Sequence, residues 1–284
     1  MPYTNFVVVG TTGIAALVAQ ELAKRPGTKV KVLSRSPDKK VENGLEVKQV
    51  DYNNASQLQD VLQGAQAVIA AVAGAALATP VQYQLADAAK AAGVSLFVPS
   101  EFGNRTHDLK EGPLYHMKTK VQEHLKRIGL DFALFYNGPF PNDIYRSAIG
   151  FDFENRKVNI VGAGDHPVPQ TTRHDTARFI AHVLTTQEPA ALANQAFEFR
   201  GDVVTFNEAV KLWQASHDNA PVEVTYTPIS EARAIAARGD GITSFIAYLR
   251  AEWAESEIAT EADTANKLFH DWNPTSVREF LATL

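Results

Sequence analysis

The sequence predicts an α/β protein: a Rossmann-type, doubly wound parallel sheet followed by a smaller C-terminal lobe. Two observations carry the prediction. Short β-branched or alternating runs and helical patterns follow one another repeatedly through the first half of the chain. The first such pair is joined by Gly10-Thr11-Thr12-Gly13, a glycine turn between a strand and a helix. At 284 residues, 45% apolar and 21% charged, the chain can bury a sizeable core as one large domain or two modest ones.

The run 6–9 is β-branched and stops at Gly10, and an apolar helical pattern covers 13–24 before Pro26-Gly27 ends it. Gly10 takes the backbone angles of a tight turn, and Gly13 lets the backbone approach an anion at the free N–H groups of the helix start. Ala16 is small enough for close helix–sheet packing. Residues 29–33 alternate as a second strand, and 45–50 as a third that ends at Asp51-Tyr52. A helix is expected over 54–62, closed by Gly64. Then come a buried strand run over 67–74, a helix over 80–92 stopped at Gly93, and a fifth strand over 95–98. A further helix begins at Tyr115 and ends near Gly129, and 130–136 form a sixth strand.

The second half carries weaker signals. Residues 158–165 read as a strand and turn, and 174–179 open a helix. Asp175 reads there as a structural carboxylate at the helix N-terminus. Thr205 and Glu208 have the capping-box spacing, and 273–280 start a final helix. The expected organisation is a dinucleotide-binding domain over 1–150, with the helix 174–186 packing back on it. Residues 151–284 form mainly a substrate lobe, drawn chiefly from 140–170 and 200–284.

Composition excludes several classes. With no cysteine there are no disulfides, thiolate metal sites or cysteine nucleophile, which fits a reducing, cytoplasmic setting. No leader is expected before the first strand, and no apolar run reaches membrane-spanning length. A net charge of −5 without a Lys/Arg cluster argues against direct nucleic-acid binding. The eight histidines are scattered, so no metal site is expected, and His116 and His174 read as surface or structural residues. Nothing in the sequence fixes the oligomeric state.

A strand, glycine turn and helix at the head of such a sheet predict a dinucleotide whose pyrophosphate meets Gly10, Thr11, Thr12, Gly13 and Ile14. NAD-binding units place an acid about twenty residues after the glycines to hold the ribose 2′-hydroxyl. Here Ser34, Arg35 and Ser36 stand in that region, so the 2′-phosphate of NADP(H) is expected on Arg35, with Lys39 or Lys40 adding charge. Asp51 and Tyr52 are expected beside the adenine, and Val72, Ala73 and Gly74 where a ribose passes close to backbone. Ser100 follows the fifth strand at the sheet's carboxyl edge, where ligands of such folds bind, and Phe102 is expected near the nicotinamide ring.

The opening Gly-Thr-Thr-Gly turn, Arg35, Gln82, the string Val98-Pro99-Ser100-Glu101-Phe102-Gly103, Lys118, and Asn137 with Phe140 occur in order at compatible spacing. In these the chain resembles the NmrA-like branch of the atypical short-chain dehydrogenases, and within it the isoflavone reductase-like and phenylcoumaran benzylic ether reductase-like proteins. The resemblance implies an NADPH-dependent reductase of a small, aromatic or carbonyl-containing molecule. It places Lys118 as the acid/base group beside the nicotinamide. It also implies further cofactor contacts from Gln82, Ser100, Glu101, Phe102, Lys118, Tyr136, Asn137, Pro139 and Phe140.

Two departures qualify this picture. Ordinary short-chain dehydrogenases use a tyrosine four residues before the lysine. Here that position is Leu114, and Tyr115 stands three before Lys118. The plant reductases carry a basic residue one turn after the lysine, where this chain has Gln122, so their particular phenolic substrates do not carry over. As alternatives, Lys118 is a solvated helix lysine near Lys120 and Lys126, or the chain is a non-catalytic NADP(H)-sensing regulator of the NmrA-like kind. Lys118 favours the enzyme; Gln122 and the divergent second half favour the regulator.

Overall fold

The computed structural model describes residues 1–36, 41, 45–72, 79–255 and 264–284. The expected contacts Lys39, Lys40, Ala73 and Gly74 lie outside the described residues. The chain forms two compact units, each assembled from separate stretches of sequence. The first comprises Met1–Tyr136, Thr176–Glu198 and Ala265–Trp272; the second comprises Asn137–Asp175, Phe199–Thr264 and Asn273–Leu284.

The first unit is organised on strands β1 (Asn5–Val9), β2 (Lys29–Ser34), β3 (Glu46–Gln49), β4 (Ala67–Ala70) and β5 (Leu96–Val98). They run parallel in the order β3-β2-β1-β4-β5. Strand β6 (Ala133–Tyr136) extends this order through a parallel bridge between Phe97 and Phe132. That reversal of winding on either side of β1 is the doubly wound arrangement, with its ligand crevice at the carboxyl ends of the strands. A later strand, Gln195–Glu198, pairs parallel with β6 in register Gln195 to Ala133.

The central strands β1, β4 and β5 are buried on both faces, as the middle of a parallel sheet must be, and the edge strand β3 is mostly exposed. Val7 and Val9 point to one side and share a core with Leu58, Leu62, Leu85, Val121 and Leu125 from three helices. These helices are α2 (Ala55–Leu62), α3 (Thr79–Ala91) and α5 (Lys120–Ile128), while α1 is Ile14–Ala23 and α4 the short Gly112–Leu114. Phe6 and Val8 alternate to the opposite face and are equally buried. Full burial of one such side chain contributes roughly 1.5–3 kcal/mol. Leu125 is fully buried, and truncating it to alanine costs about 2–5 kcal/mol once the cavity is counted.

The segment expected as one helix from Tyr115 is not regular. Tyr115–Thr119 forms a π-turn between α4 and α5, and Gly129 ends α5 in the left-handed region at φ 65°. An inserted residue of this kind changes which side chains share a face, and such turns are frequent at functional sites.

The second unit holds a three-stranded sheet and an antiparallel strand pair. The sheet brings Phe151–Asp152, Lys157–Val161 and Glu223–Thr227 together, and the pair joins Pro167–Gln170 to Asp202–Thr205. Its core is aromatic: Phe153 stacks on Trp213 at 4.8 Å, and Tyr145 meets Phe151 edge-on at 5.1 Å. Thr205 and Glu208 form the expected capping box. The last helix begins at Val277 rather than 273, because Ser276 caps it in a box with Glu279. At the helix Arg173–Thr186, Thr172 and Asp175 bond reciprocally, and Asp175 also accepts the Thr275 N–H at 2.9 Å. That is a structural role for the carboxylate.

Candidate functional site

The glycine turn follows β1 directly. Gly10 has φ +123°, and a Cβ placed there would lie 2.7 Å from the Ala71 carbonyl and 2.8 Å from the Ala15 Cβ, so both backbone and space require glycine. Gly13 has φ +56°, with nothing within 4 Å of an added Cβ. It stands at the start of α1, whose first turn has no acidic residue and no side-chain cap. Thr12 and Gly13 are exposed, Thr11 and Ile14 half-buried. An open backbone at a helix N-terminus without a side-chain cap fits an anionic group such as a pyrophosphate.

Beyond β2, Arg35 is exposed and its guanidinium lies 5.7 Å from the centre of the buried Tyr52 ring. Asp51 is exposed, and its carboxylate accepts the Asn53 N–H at 2.9 Å as the chain turns into α2. No carboxylate occupies 34–36.

Strands β4 and β5 are tied at their carboxyl ends. The Ser100 hydroxyl donates to the Val72 carbonyl at 2.8 Å, and the Ser100 N–H donates to Gln82 Oε1 at 2.9 Å. Gln82 and Ser100 are both buried, so one observed task of each is to fix this edge of the sheet.

The turn after Ser100 carries a buried polar network. Glu101 is 1% exposed, and its carboxylate accepts Thr106 Oγ1 at 2.7 Å and Gln122 Nε2 at 2.7 Å. Gln122 Nε2 also reaches Thr106 Oγ1 at 3.0 Å and the Tyr136 hydroxyl at 3.4 Å. Thr119, in the π-turn, donates to the Thr106 carbonyl at 2.7 Å. Phe102 sits at φ +23°, which is unfavourable for an aromatic residue.

Lys118 completes the cluster: its ammonium donates to the Glu101 carbonyl and lies beside Gly103. Burial pushes the Lys118 pKa below its ordinary value, and the charge of Glu101 pulls the other way. Burial pushes the Tyr136 hydroxyl far up, with Glu101 adding to it. Leu114 and Val121 are buried near Lys118 in sequence, but the direct partner of the ammonium is a backbone oxygen.

Asn137, Pro139 and Phe140 continue from β6 into the second unit. There the Asn137 carbonyl accepts Thr171 Oγ1 at 2.9 Å, and Arg173 lies over the Phe140 ring at 5.6 Å. Pro139 is buried and Phe140 half-buried.

The expected residues of the first unit thus gather at the carboxyl ends of the parallel strands. Thr106 and the role of Gln122 were missing from the sequence reading. A cavity of about 430 Å³ in the same unit, lined by Gln122, Leu125, Lys126, Leu130 and Phe132 among others, contains none of the expected site residues. Among the described residues, no three His, Asp or Glu side chains are grouped to hold a metal, and no helix is long and apolar enough to cross a membrane.

The model of the NmrA-like family matches residues 4–281. The chain belongs to the NmrA-like family. Oxidoreductase aprR of Aspergillus flavus is 31% identical over 171 residues, which is 56% of this chain and 56% of that protein, a little over half its length. Quinone oxidoreductase 2 of Escherichia coli K12 is 25% identical over 274 residues, 92% of each chain. Its crystal structure with NADPH superposes with a TM-score of 0.78 at 22% identity, covering 98% of this chain and 99% of the other. A crystal structure of isoflavone reductase gives a TM-score of 0.82 at 18% identity, covering 98% of each chain. This NmrA-like chain therefore shares its architecture with reductases along nearly its whole length.

Proposed function

We propose that this NmrA-like protein is an NADP(H)-dependent oxidoreductase that reduces a small, aromatic or carbonyl-containing molecule, with Lys118 as the proton donor. The observation that carries the reading is Lys118 itself. Its ammonium is held against the Glu101 carbonyl at the carboxyl edge of the sheet, where burial loosens its proton. The named oxidoreductases among the relatives and the NADPH complex of quinone oxidoreductase 2 support the same reading.

Gly10 to Ile14 hold the pyrophosphate in this proposal, and Arg35 holds the 2′-phosphate. Residues 1–150 are assigned to the cofactor and 151–284 mainly to the substrate, in a cytosolic protein. When bound, the reduced nicotinamide supplies the hydride. Lys118 gives a proton from Nζ to the substrate oxygen that gains negative charge, which completes a two-electron reduction. The amine then regains a proton from water.

Stopped-flow oxidation of NADPH against phenolic, enone, aldehyde and quinone compounds tests the proposal. Turnover with at least one class is expected. Tight NADPH binding with no oxidation by any of them would overturn it in favour of an NADP(H)-sensing regulator.

A further inference from the structure

Lys118 is held by a turn, and that turn is held by a buried carboxylate whose two partners are neutral. Thr106 and Gln122 each donate to one Glu101 oxygen at 2.7 Å. Neither partner cancels the charge, so its field reaches the nearby ammonium of Lys118. The ammonium makes its own contact with the backbone carbonyl of the same residue. Phe102, the next residue, is kept at φ +23°. A strained turn persists where surrounding bonds over-determine it, and here they do so from both sides. Gln122 pulls from α5, while Thr106 is anchored to the π-turn by Thr119.

We propose that Glu101 is the positioning residue of Lys118. Its clamped carboxylate fixes the turn whose carbonyl receives the ammonium, and its negative charge stands on the same residue that the ammonium contacts. Gln122 is the neutral setter of this arrangement. A cation there would pair with Glu101 and remove the field that Lys118 feels, whereas the amide holds the carboxylate and leaves its charge in place.

The other titratable groups around the pair are Tyr136 on β6 and His107, whose ring stacks on that of Tyr136 at 5.7 Å. On the helical segment of Lys118 they are Tyr115, His116, Lys120 and Glu123. The charge that bears on the ammonium is that of Glu101.

The inference rests on the reading of Lys118 as proton donor, but its first test needs no turnover. In the full chain, the pH dependence of Lys118 modification by an amine acylating reagent is followed by peptide mass spectrometry, with Lys120 as internal reference. Glu101→Gln removes the charge and keeps the shape. It should move the Lys118 midpoint down by about one pH unit, a roughly tenfold looser proton, and leave Lys120 in place. Gln122→Lys should shift it the same way, and it decides the matter if Glu101→Gln does not fold. A Lys118 midpoint unchanged in a folded variant overturns the inference. With an accepted substrate, the alkaline limb of kcat should move with the midpoint; a loss of rate uniform across pH would also overturn it. A shifted midpoint without turnover in any compound supports the positioning role and sinks the reductase reading instead.

Discussion

The guanidinium of Arg35 lies over the ring of Tyr52, 5.7 Å from its centre. Burial pushes the Tyr52 hydroxyl up to about 12, so Arg35 rests on a neutral ring at any working pH. The ring pre-sets the cation at the strand end without pairing away its charge. Arg35→Ala should therefore weaken NADPH binding by about tenfold to a hundredfold and leave NADH binding nearly unchanged. Calorimetric titration checks this; equal affinity of the parent for both cofactors would refute the assignment of Arg35 to the 2′-phosphate.

The two glycines of the turn should fail in different ways. Gly10→Ala forces a Cβ to within 2.7 Å of the Ala71 carbonyl at φ +123°, so it should lower stability by about 1–3 kcal/mol in chemical denaturation. Gly13→Val meets open space but strains a branched residue at φ +56°, so it should lower stability by about 1–3 kcal/mol and leave a folded protein that has lost cofactor binding. A folded Gly13→Val protein with parental affinity would make the turn purely structural.

Lys118→Ala should retain NADPH binding and lose about 10²–10⁴-fold in turnover. Lys120, whose ammonium lies 5.7 Å from the Tyr115 ring centre, is the control, and its alanine variant should be nearly silent. Because burial lowers the Lys118 pKa, the protonated donor disappears as pH rises through a value below 10.5, and the reduction rate should fall there. A rate independent of pH up to 10.5, or parental turnover in Lys118→Ala, would assign the proton to another donor.

Tyr145 offers a stability test away from the site. It is buried among Phe151, Phe153 and Phe280, and its hydroxyl makes no hydrogen bond of normal geometry although Gln170 lies beside it. Removing a poorly satisfied buried hydroxyl costs little, so Tyr145→Phe should unfold within about 1 kcal/mol of the parent in urea, or later. Burial raises its folded pKa above the ordinary 10.0, so the native state keeps a proton that the unfolded chain loses. Stability from this group is complete below pH 10 and falls as pH rises above it. The phenylalanine variant should lose less stability there. A loss above about 2 kcal/mol at neutral pH would mean the hydroxyl is firmly bonded.

The central strands of the first sheet were legible because they are buried on both faces, while β2 and the exposed β3 were read from their alternation. Runs such as Phe6 to Val9 and Ala67 to Ala70 leave little else to be read from them. Strand Glu223–Thr227 left no such mark, since all its residues are exposed or half-buried. The candidate site divides in the same way. Gly10 and Arg35 could be found by counting from strand ends, and Lys118 by its likeness to the lysine of the resembled reductases. The clamp joins Glu101 and Thr106 of one loop to Gln122 on α5 and Tyr136 on β6, and no spacing rule links the three segments. Read alone, Gln122 looked like a departure from a pattern; the structure gives it a partner.

The π-turn at Tyr115–Thr119 has a consequence for how kinship is traced through this fold. One extra residue rotates everything beyond it by about 100° around a helix axis. A cousin that winds the same stretch as an unbroken α-helix would bring a different letter of its sequence to the Glu101 carbonyl, even under a gapless match. Descent of the amine along the lineage must then be followed by superposing backbones, because the column in which a lysine is written no longer fixes the direction in which it points.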